Sequence, residues 1–373
     1  MKKRPQLDMW GEILAEKVNK DEILINILKI IAPGTKFREG LDNILKAKTG
    51  ALIIIGDSKE IMDIVDGGFK IDEEYTPARL YELAKMDGAI ILSKDLKRIL
   101  LANTQIIPSS KITTEETGTR HRTAERTAKQ TGELVISISQ RRNIITVFKG
   151  DFRYTIEDSS KIITKANQAL QTLENYKKVF DSKLSVLNEY EFNDIVTLDN
   201  VITCIQRAEM VMKVAKEVQR SIYELGEDGI LVKMQLEELI EDLPEEELLI
   251  IKDYIAPSRR LVAEKVLQTI KTSSQYEFVQ SQIIARALGY EQFDNYEEVA
   301  VYPRGYRILN KIPRMPSNIV TNLVKTFKSF QHILLADVDK LDEVEGIGEV
   351  RARTIKQSLR RMQEQFVFDN LMI

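Results

Sequence analysis

The chain has little with which to cross-link itself or to hold a transition metal. It contains one cysteine, Cys204, and two histidines, His121 and His332, in 373 residues. A lone cysteine excludes an internal disulfide framework, and one Cys with two His falls short of the usual zinc set. Cys204 lies in VITCIQRAEM, a helical pattern, and is expected to be a buried, unreactive thiol. His332 likewise falls in a helical pattern and is expected to be structural. No apolar run approaches the roughly 18–20 residues that a membrane-spanning helix needs. The opening MKKRPQLDMW leads into no apolar stretch, so no secretory signal is expected and the chain reads as cytoplasmic. An excess of one charge sign is missing too: the net charge is −3. Any surface that grips nucleic acid must therefore be local. Two nucleotide-binding signatures are absent, the G-x-x-x-x-G-K-[ST] phosphate loop and a G-x-G-x-x-G opening a helix after the first strand.

What is present is an ordinary globular composition, 43% apolar and 30% charged, in a chain long enough for two or three domains. Residues 1–152 alternate helical and strand patterns. Helices are predicted over 8–31, stopped by Pro33-Gly34, and over 36–48, 59–65, 77–85 and 122–131. Short continuous apolar runs, ALIII (51–55), GAIIL (88–92) and LVISI (134–138), fit buried central strands, and 98–106 and 144–148 fit further strands. This is an α/β domain, with a sheet flanked by helices. Residues 153–300 read as an all-α spine: long 3.6-residue periodicity, no strand runs, helices over 197–223 and 228–241. Its acidic stretch Glu237-Glu238, Glu241-Asp242, Glu245-Glu246-Glu247 is predicted to be a solvated face and turn. Residues 301–373 read as a third, short-helical, all-α domain. From Arg304 to Arg361 it carries 12 Lys+Arg against 6 Asp+Glu, a basic patch that the chain total conceals.

Two motifs in the first segment carry chemistry. Asp87-Gly88-Ala89 places a carboxylate where a helix gives way to a buried strand. Asp is a hard oxygen ligand suited to Mg²⁺ or Mn²⁺, and Gly88 permits close approach of another backbone or a ligand. An Asp-Gly turn alone would also explain the tripeptide. Thr117-Gly118-Thr119-Arg120-His121-Arg122-Thr123 concentrates hydroxyls and cations where a helix begins, near Arg122. Arginine at a helix N-terminus opposes the helix dipole, so the arrangement is reasonable when an anion completes it. Guanidinium groups grip phosphate with paired donors. A carboxylate for a metal and a cationic loop for polyphosphate together fit phosphoryl or nucleotidyl transfer.

DGA followed by GTRHRTAE resembles the diadenylate cyclase domain family, as do APGT (32–35), GALIIIGD (50–57), GGF (67–69) and MDGAIILS (86–93). The resemblance covers nearly all of residues 1–150. It implies that two ATP molecules are condensed to cyclic di-AMP with release of two pyrophosphates, each 3′-hydroxyl attacking the other ATP's α-phosphate across two facing domains. Carried over by position, Asp87 is the metal-linked catalytic carboxylate, and Gly88 and Ile106 line the adenosine site. Thr117, Gly118, Thr119, Arg120 and His121 hold phosphates, with Arg122 and Thr123 supporting that loop. Ser139 and Arg142 reach phosphate from the sheet edge. The family has three basic residues after that serine; this chain has Gln140-Arg141-Arg142, which puts a phosphate role for position 140 in doubt.

Near the C-terminus, Glu345-Gly346-Ile347-Gly348-Glu349 lies between helical patterns, and LDEVEGIGEVRARTI resembles the helix–hairpin–helix motif. Such a turn offers backbone N–H groups and a helix N-terminus to a nucleic-acid phosphate without reading sequence. Gly346, Ile347, Gly348, Arg351 and Arg353 are the expected DNA contacts. Ile312 to Val320 occupies the place of a partner copy without its glycines. The three segments in this order resemble the bacterial family of DNA integrity scanning proteins with diadenylate cyclase activity. That family implies an octamer with cyclase domains paired, binding of branched DNA, nucleoid association and no membrane. The competing expectation is a non-catalytic DNA-binding scaffold whose first domain senses nucleotide. A nuclease is disfavoured, since the C-terminal region has no evident carboxylate cluster.

Overall fold

The computed structural model describes residues 22–257, 261–273, 280–293 and 295–370, so the helical pattern at 8–21 lies outside the described residues. The chain divides into two compact units, Met1–Ala166 with Gln219–Lys233, and Asn167–Val218 with Met234–Ile373.

The first unit begins with helix α1 (22–31) and α2 (Lys36–Lys46), whose N-cap Thr35 side chain accepts from Arg38 N. Then follow β1 (Ala51–Ile55), α3 (Lys59–Met62), β2 (Val65–Asp66), β3 (Phe69–Glu74), α4 (Pro77–Leu83), β4 (Ala89–Leu92) and β5 (Arg98–Ile106). The unit continues with α5 (Thr119–Thr131), β6 (Leu134–Ser139), β7 (Ile144–Lys149) and β8 (Phe152–Ile156). One mixed eight-stranded sheet results, ordered β2-β5-β4-β1-β6-β7-β8, with β3 also on β5. β1 and β4 pair parallel; the other pairings are antiparallel. The apolar runs become the central strands because each is covered on both faces. Ala51, Ile53, Ile55, Ile136 and Ile138 pack with Leu28, Leu41 and Leu80 of α1, α2 and α4. Leu52, Ile54, Ala89, Ile91 and Val135 pack with Ala124 and Ala128 of α5. Those two alanines are small enough to bring the α5 backbone close to the sheet.

Sequence patterning overlooked β2, β3 and β8. Phe69–Glu74 reads FKIDEE and is exposed along most of its length, so it lacks a hydrophobic signature. The start of α5 is corrected as well: the helix begins at Thr119, so Arg120, His121 and Arg122 sit inside its first turn.

The second unit is built on α6 (Ser159–Asn193) from Asn167 onward and on α7 (Leu198–Leu225) up to Val218, the rest of each helix being assigned to the first unit. It adds α8 (Ile230–Ile240) from Met234 onward, α9 (Leu243–Tyr254), α10 (Ala263–Ser273), α11 (Ser281–Leu288), α12 (Tyr306–Asn310) and α13 (Ser317–Phe327). It ends with α14 (Phe330–Leu335), α15 (Val338–Asp342) and α16 (Glu349–Asn370). Cys204 is buried in one of its cores, and burial pushes the thiol up to about 12, as expected of an inert cysteine.

The acidic stretch is not all solvated. Glu246 bonds to Arg307 and Lys311, both at 3.0 Å, and Glu247 is fully buried. α9 turns that flank inward because Leu243, Leu249, Ile250 and Ile251 share the helix with it. Burial, then the carboxylate of Glu209 on α7, pushes Glu247 up to about 9, while Lys271 and Lys216 pull the other way. Glu247 is therefore protonated in the fold at neutral pH and ionised in the unfolded chain. Between the unfolded carboxyl range and the folded value the native state binds the extra proton, so stability falls as pH rises, by up to about 1.4 kcal/mol per pH unit. Glu247→Gln is expected to remove this dependence. Its melting temperature should gain on wild type progressively from pH about 5 to about 9; parallel curves for the two proteins would contradict the assignment.

Candidate active site

The strand register gathers the predicted site residues on one rim of the sheet. Leu52 is opposite Ala89, Ala51 opposite Ile138, and Ala89 opposite Thr104. The N-terminal ends of β1 and β4 therefore lie beside the C-terminal ends of β5 and β6. Ile106, Asp87-Gly88, Gly50 and Ser139 follow one another across four strands, about 14 Å at the usual strand spacing. α5 runs back along β6, so its N-terminus opens at this rim.

Asp87 is exposed on the bend that enters β4. Gly88 has φ +92, and a Cβ there would meet the backbone of Asn103 and Thr104 at 2.8 Å. Only glycine lets β4 start against the β5 bulge, which fixes where Asp87 projects. Ile106 pairs with Val65 at the sheet end and is 7% exposed within the core below the rim.

The α5 N-terminus is open to an anion. Its cap, Gly118 with φ +92, provides no side-chain acceptor, and the first turn holds no acidic residue. Free N–H groups and the positive dipole end thus coincide with Arg120, His121 and Arg122. The guanidinium of Arg120 occupies the space that a side chain at position 50 would need: a Gly50 Cβ would lie 2.1 Å from Arg120 Nη1. Gly50, quoted above only as the first residue of GALIIIGD, is thus the cradle of Arg120. His121 Nδ1 lies 3.2 Å from the Oγ of Ser137, a buried hydroxyl of β6. Burial, with Arg142, Arg120 and Arg153 nearby, lowers the His121 pKa against the opposing pull of Glu116, so the imidazole is neutral at pH 7. Its Nε2 is buried without a hydrogen-bond partner among the described residues.

Arg142 donates to Thr117 Oγ1 at 3.3 Å, and its backbone N–H donates to Ser139 Oγ at 3.2 Å. The first bond ties the β6–β7 turn to the start of α5, and the second closes the turn itself. Thr119 and Arg122 are exposed and Thr123 is half-buried on the first turns of α5. Arg153 of β8 pairs with Glu116, whose side chain is 8% exposed. Sequence reasoning missed Glu116, Ser137 and Gly50; only the interruption of an apolar strand by Ser137 signals any of them.

The C-terminal region forms two similar helical hairpins. In one, α15 and α16 flank a turn in which Gly346 has φ +84 and Ile347 N donates to Val344 O at 2.9 Å. In the other, α12 and α13 flank a turn in which Arg314 has φ +59 and Met315 N donates to Ile312 O at 3.3 Å. Arg314 takes the left-handed position of the missing glycine, so the suspected copy has the same backbone path. Both hairpins share one core, in which Ile312, Ile319, Val344 and Ile347 are buried. Gly348 and Arg351 are exposed, and Arg353 pairs with Glu349. The basic patch is smaller than its charge count. Arg304 bonds to carbonyl oxygens of Lys252 and Ile255, Arg307 is buried, Lys311 pairs with Glu246, and Lys356 bonds to Leu334 O and Ala336 O.

Among the described residues no helix is long and apolar enough to cross a membrane. Residues 38–152 match the family described as DisA bacterial checkpoint controller nucleotide-binding, and residues 156–296 match the DisA bacterial checkpoint controller linker region. The DNA integrity scanning protein DisA of Clostridium botulinum (strain Loch Maree / Type A3) is 53% identical over 355 residues, 95% of this chain and 100% of that protein. The protein of the same name from Acetivibrio thermocellus is 53% identical over 351 residues, 94% of this chain and 97% of that one. That from Carboxydothermus hydrogenoformans is 52% identical over 346 residues, 93% and 98% of the two chains. With such identity over nearly its whole length, the chain belongs to the DisA family, and its N-terminal α/β domain is a diadenylate cyclase domain.

Proposed function

We propose that the chain condenses two ATP molecules into cyclic di-AMP and two pyrophosphates, and that its C-terminal hairpins bind branched DNA and couple that binding to synthesis. The observation that carries the cyclase reading is the convergence, on one sheet rim, of the Asp87 carboxylate with the uncapped, cationic N-terminus of α5. Gly88 and Ile106 mark the adenosine end. Thr117, Gly118, Thr119 and Arg120 meet phosphate through hydroxyls, N–H groups and guanidinium. His121, held at Nδ1 by Ser137, has its Nε2 without a partner among the described residues, and a phosphate oxygen would supply one. Arg122 and Thr123 support the loop, and Ser139 and Arg142 close it from the β6–β7 turn.

The donor set fits a divalent ion. Among the described residues no three His, Cys, Asp or Glu side chains cluster as a metal site. One hard carboxylate, completed by phosphate oxygens and water, is how Mg²⁺ is commonly held, and Mn²⁺ accepts the same ligands. Bound at Asp87, such an ion would offset charge on the α-phosphate and make the 3′-hydroxyl easier to ionise. The chain's own residues orient the two triphosphates, neutralise them and hold the carboxylate near the attacking hydroxyl.

Because each 3′-hydroxyl attacks the α-phosphate of the other ATP and each attack expels one pyrophosphate, two ATP sites face each other, each on its own cyclase domain, and a homo-octamer with paired cyclase domains meets that need. The segments 1–152, 153–300 and 301–373 then serve as cyclase, spine and helix–hairpin–helix domain. Gly346, Gly348, Arg351 and Arg353 contact DNA phosphates, independently of sequence and with steep salt dependence. Ile347, expected among these contacts, instead anchors the turn from the core, its N–H on Val344 O. The site of action is the bacterial nucleoid in the cytoplasm.

The test is production of cyclic di-AMP from ATP with Mg²⁺ or Mn²⁺, with and without a four-way junction. Product is expected in the absence of DNA and less of it at saturating junction. No product would remove the cyclase reading, and unchanged synthesis at saturating junction would remove the coupling.

A further inference from the structure

Residues 107–118, between β5 and α5, form a strap that returns to the start of the very helix it crosses. Four side chains of α5 hold it. Gln130 Oε1 accepts from Ser109 N at 2.7 Å, Arg126 Nε donates to Ile112 O at 2.9 Å, and Lys129 Nζ donates to Thr113 O at 3.4 Å. The Glu125 carboxylate accepts from the Thr114 hydroxyl and pairs with Lys129 at 2.8 Å. Positions 125, 126, 129 and 130 share the flank of α5 away from Ala124 and Ala128, which pack on the sheet. Glu125 is consequently 8% exposed although it is charged. Burial alone would raise its pKa, but Lys129 and Thr114 outweigh burial and hold the carboxyl below its ordinary range, so it stays ionised. A buried carboxylate with this many partners is costly unless its position is needed.

We propose that Glu125 is a positioning residue for the cyclase. It clasps the strap through Thr114, and thereby sets Thr117 and Gly118, three and four residues further on, where ATP phosphates meet the α5 N-terminus. The proposal rests on the phosphate role given above to Thr117 and Gly118. Of the four α5 anchors, Arg126, Lys129 and Gln130 fix the earlier part of the strap and Glu125 acts closest to the site, while Arg153 on Glu116 and Arg142 on Thr117 hold the last residues from β8 and the β6–β7 turn. The backbone supports this order: Glu116 N donates to Thr114 Oγ1 at 3.2 Å, so the Glu125 bond to that hydroxyl is passed directly toward Glu116 and Thr117. Without the clasp, the strap samples other positions. ATP then binds only the fraction of molecules in which Thr117 and Gly118 are placed, so apparent affinity falls by that fraction. Turnover of bound ATP changes little, because binding restores the arrangement before chemistry.

Two variants test this in the full-length protein. Glu125→Met removes the acceptor at similar volume, and Thr114→Val removes its hydroxyl partner. Each is expected to raise KM for ATP roughly tenfold with kcat changed less than about threefold. Trypsin cleavage after the exposed Lys111 should accelerate in both, and excess ATP should slow it again. Wild-type KM with wild-type cleavage in both variants overturns the proposal, and so does a fall in kcat at unchanged KM, which would place Glu125 in the chemistry. If Glu125→Met fails to fold, Gln130→Ala, which removes only the exposed bond to Ser109, must show the same pattern at smaller amplitude. The proteolysis requires no turnover. A wild-type chain without cyclase activity would remove the functional reading, while faster cleavage in the variants would still place Glu125 as the strap's clasp and equal cleavage would refute it.

Discussion

Asp87→Asn is expected to reduce cyclic di-AMP synthesis by about a hundred- to a thousandfold, the range seen when one group aligned with the transition-state charge is removed. The loss should fall on kcat. Asparagine has the same shape but a weak hold on a divalent ion, and the residues expected to carry the triphosphate, from Thr117 to His121 and at Arg142, are unchanged. ATP binding, measured by a bound fluorescent analogue, should therefore remain within about threefold of wild type. Stability should not change either. Asp87 is exposed on the bend before β4, and surface substitutions of this kind fall within about 0.5 kcal/mol. The backbone at the rim is set by Gly88 against Asn103 and Thr104, not by the Asp87 side chain. Turnover near the wild-type value would show that the carboxylate does not serve the metal, and the rim would then lack any assigned activating group.

The parts of this site that were legible in the sequence are those with a local signature. Central strands β1, β4 and β6 are continuous apolar runs because both faces are covered. The helix after TGTRHR is visible from its periodicity. Its first residue is not, because the cap is a glycine and the first turn carries cations where helices ordinarily place acids. The same features that obscure the helix start are those that suit it to an anion. β3 escaped because an exposed, mostly polar strand carries no alternation to read; β8, FRYTI, does alternate, with Phe152, Tyr154 and Ile156 against the core, but the boundary drawn at 152/153 cuts through it. Contacts between distant residues left no trace at all. Gly50 beside Arg120 and Ser137 beside His121 depend on strand register, which a single sequence does not display. The acidic run at 245–247 was misjudged for the same reason: its partner Arg307 lies about sixty residues away on α12, and charge composition alone says solvent.

Arg307→Met is expected to destabilise the second unit by roughly 3–5 kcal/mol, the cost of leaving buried charges without their partner. Arg307 is fully buried and bonds to Asn188 Oδ1 at 2.6 Å, to Glu246 Oε1 at 3.0 Å and to Glu191. It thereby joins α6, α9 and α12 in one cluster. Asp253 secures the same place from the other side, accepting from the backbone of Gly305, Tyr306 and Arg307 at 2.7–3.0 Å. In the variant, Glu191 keeps only the Tyr254 hydroxyl, at 2.6 Å, among these partners. Burial already raises the Glu191 pKa against the pull of Arg307, and losing that pull raises it further. The sign follows: a carboxyl whose folded pKa exceeds its unfolded value costs stability as pH rises, so the deficit should be smaller near pH 5 than near pH 8. Adding Glu191→Gln should recover part of the loss, as coupling within one cluster requires. All these groups lie in the second unit, and the ATP-site residues lie in the first. Urea unfolding at the two pH values, read beside ATP and junction binding, separates the cases. Loss of junction binding with ATP binding retained supports Arg307 as the hub that seats the C-terminal hairpins. Wild-type stability at both pH values would mean the cluster is no more stabilising than a methionine side chain in its place.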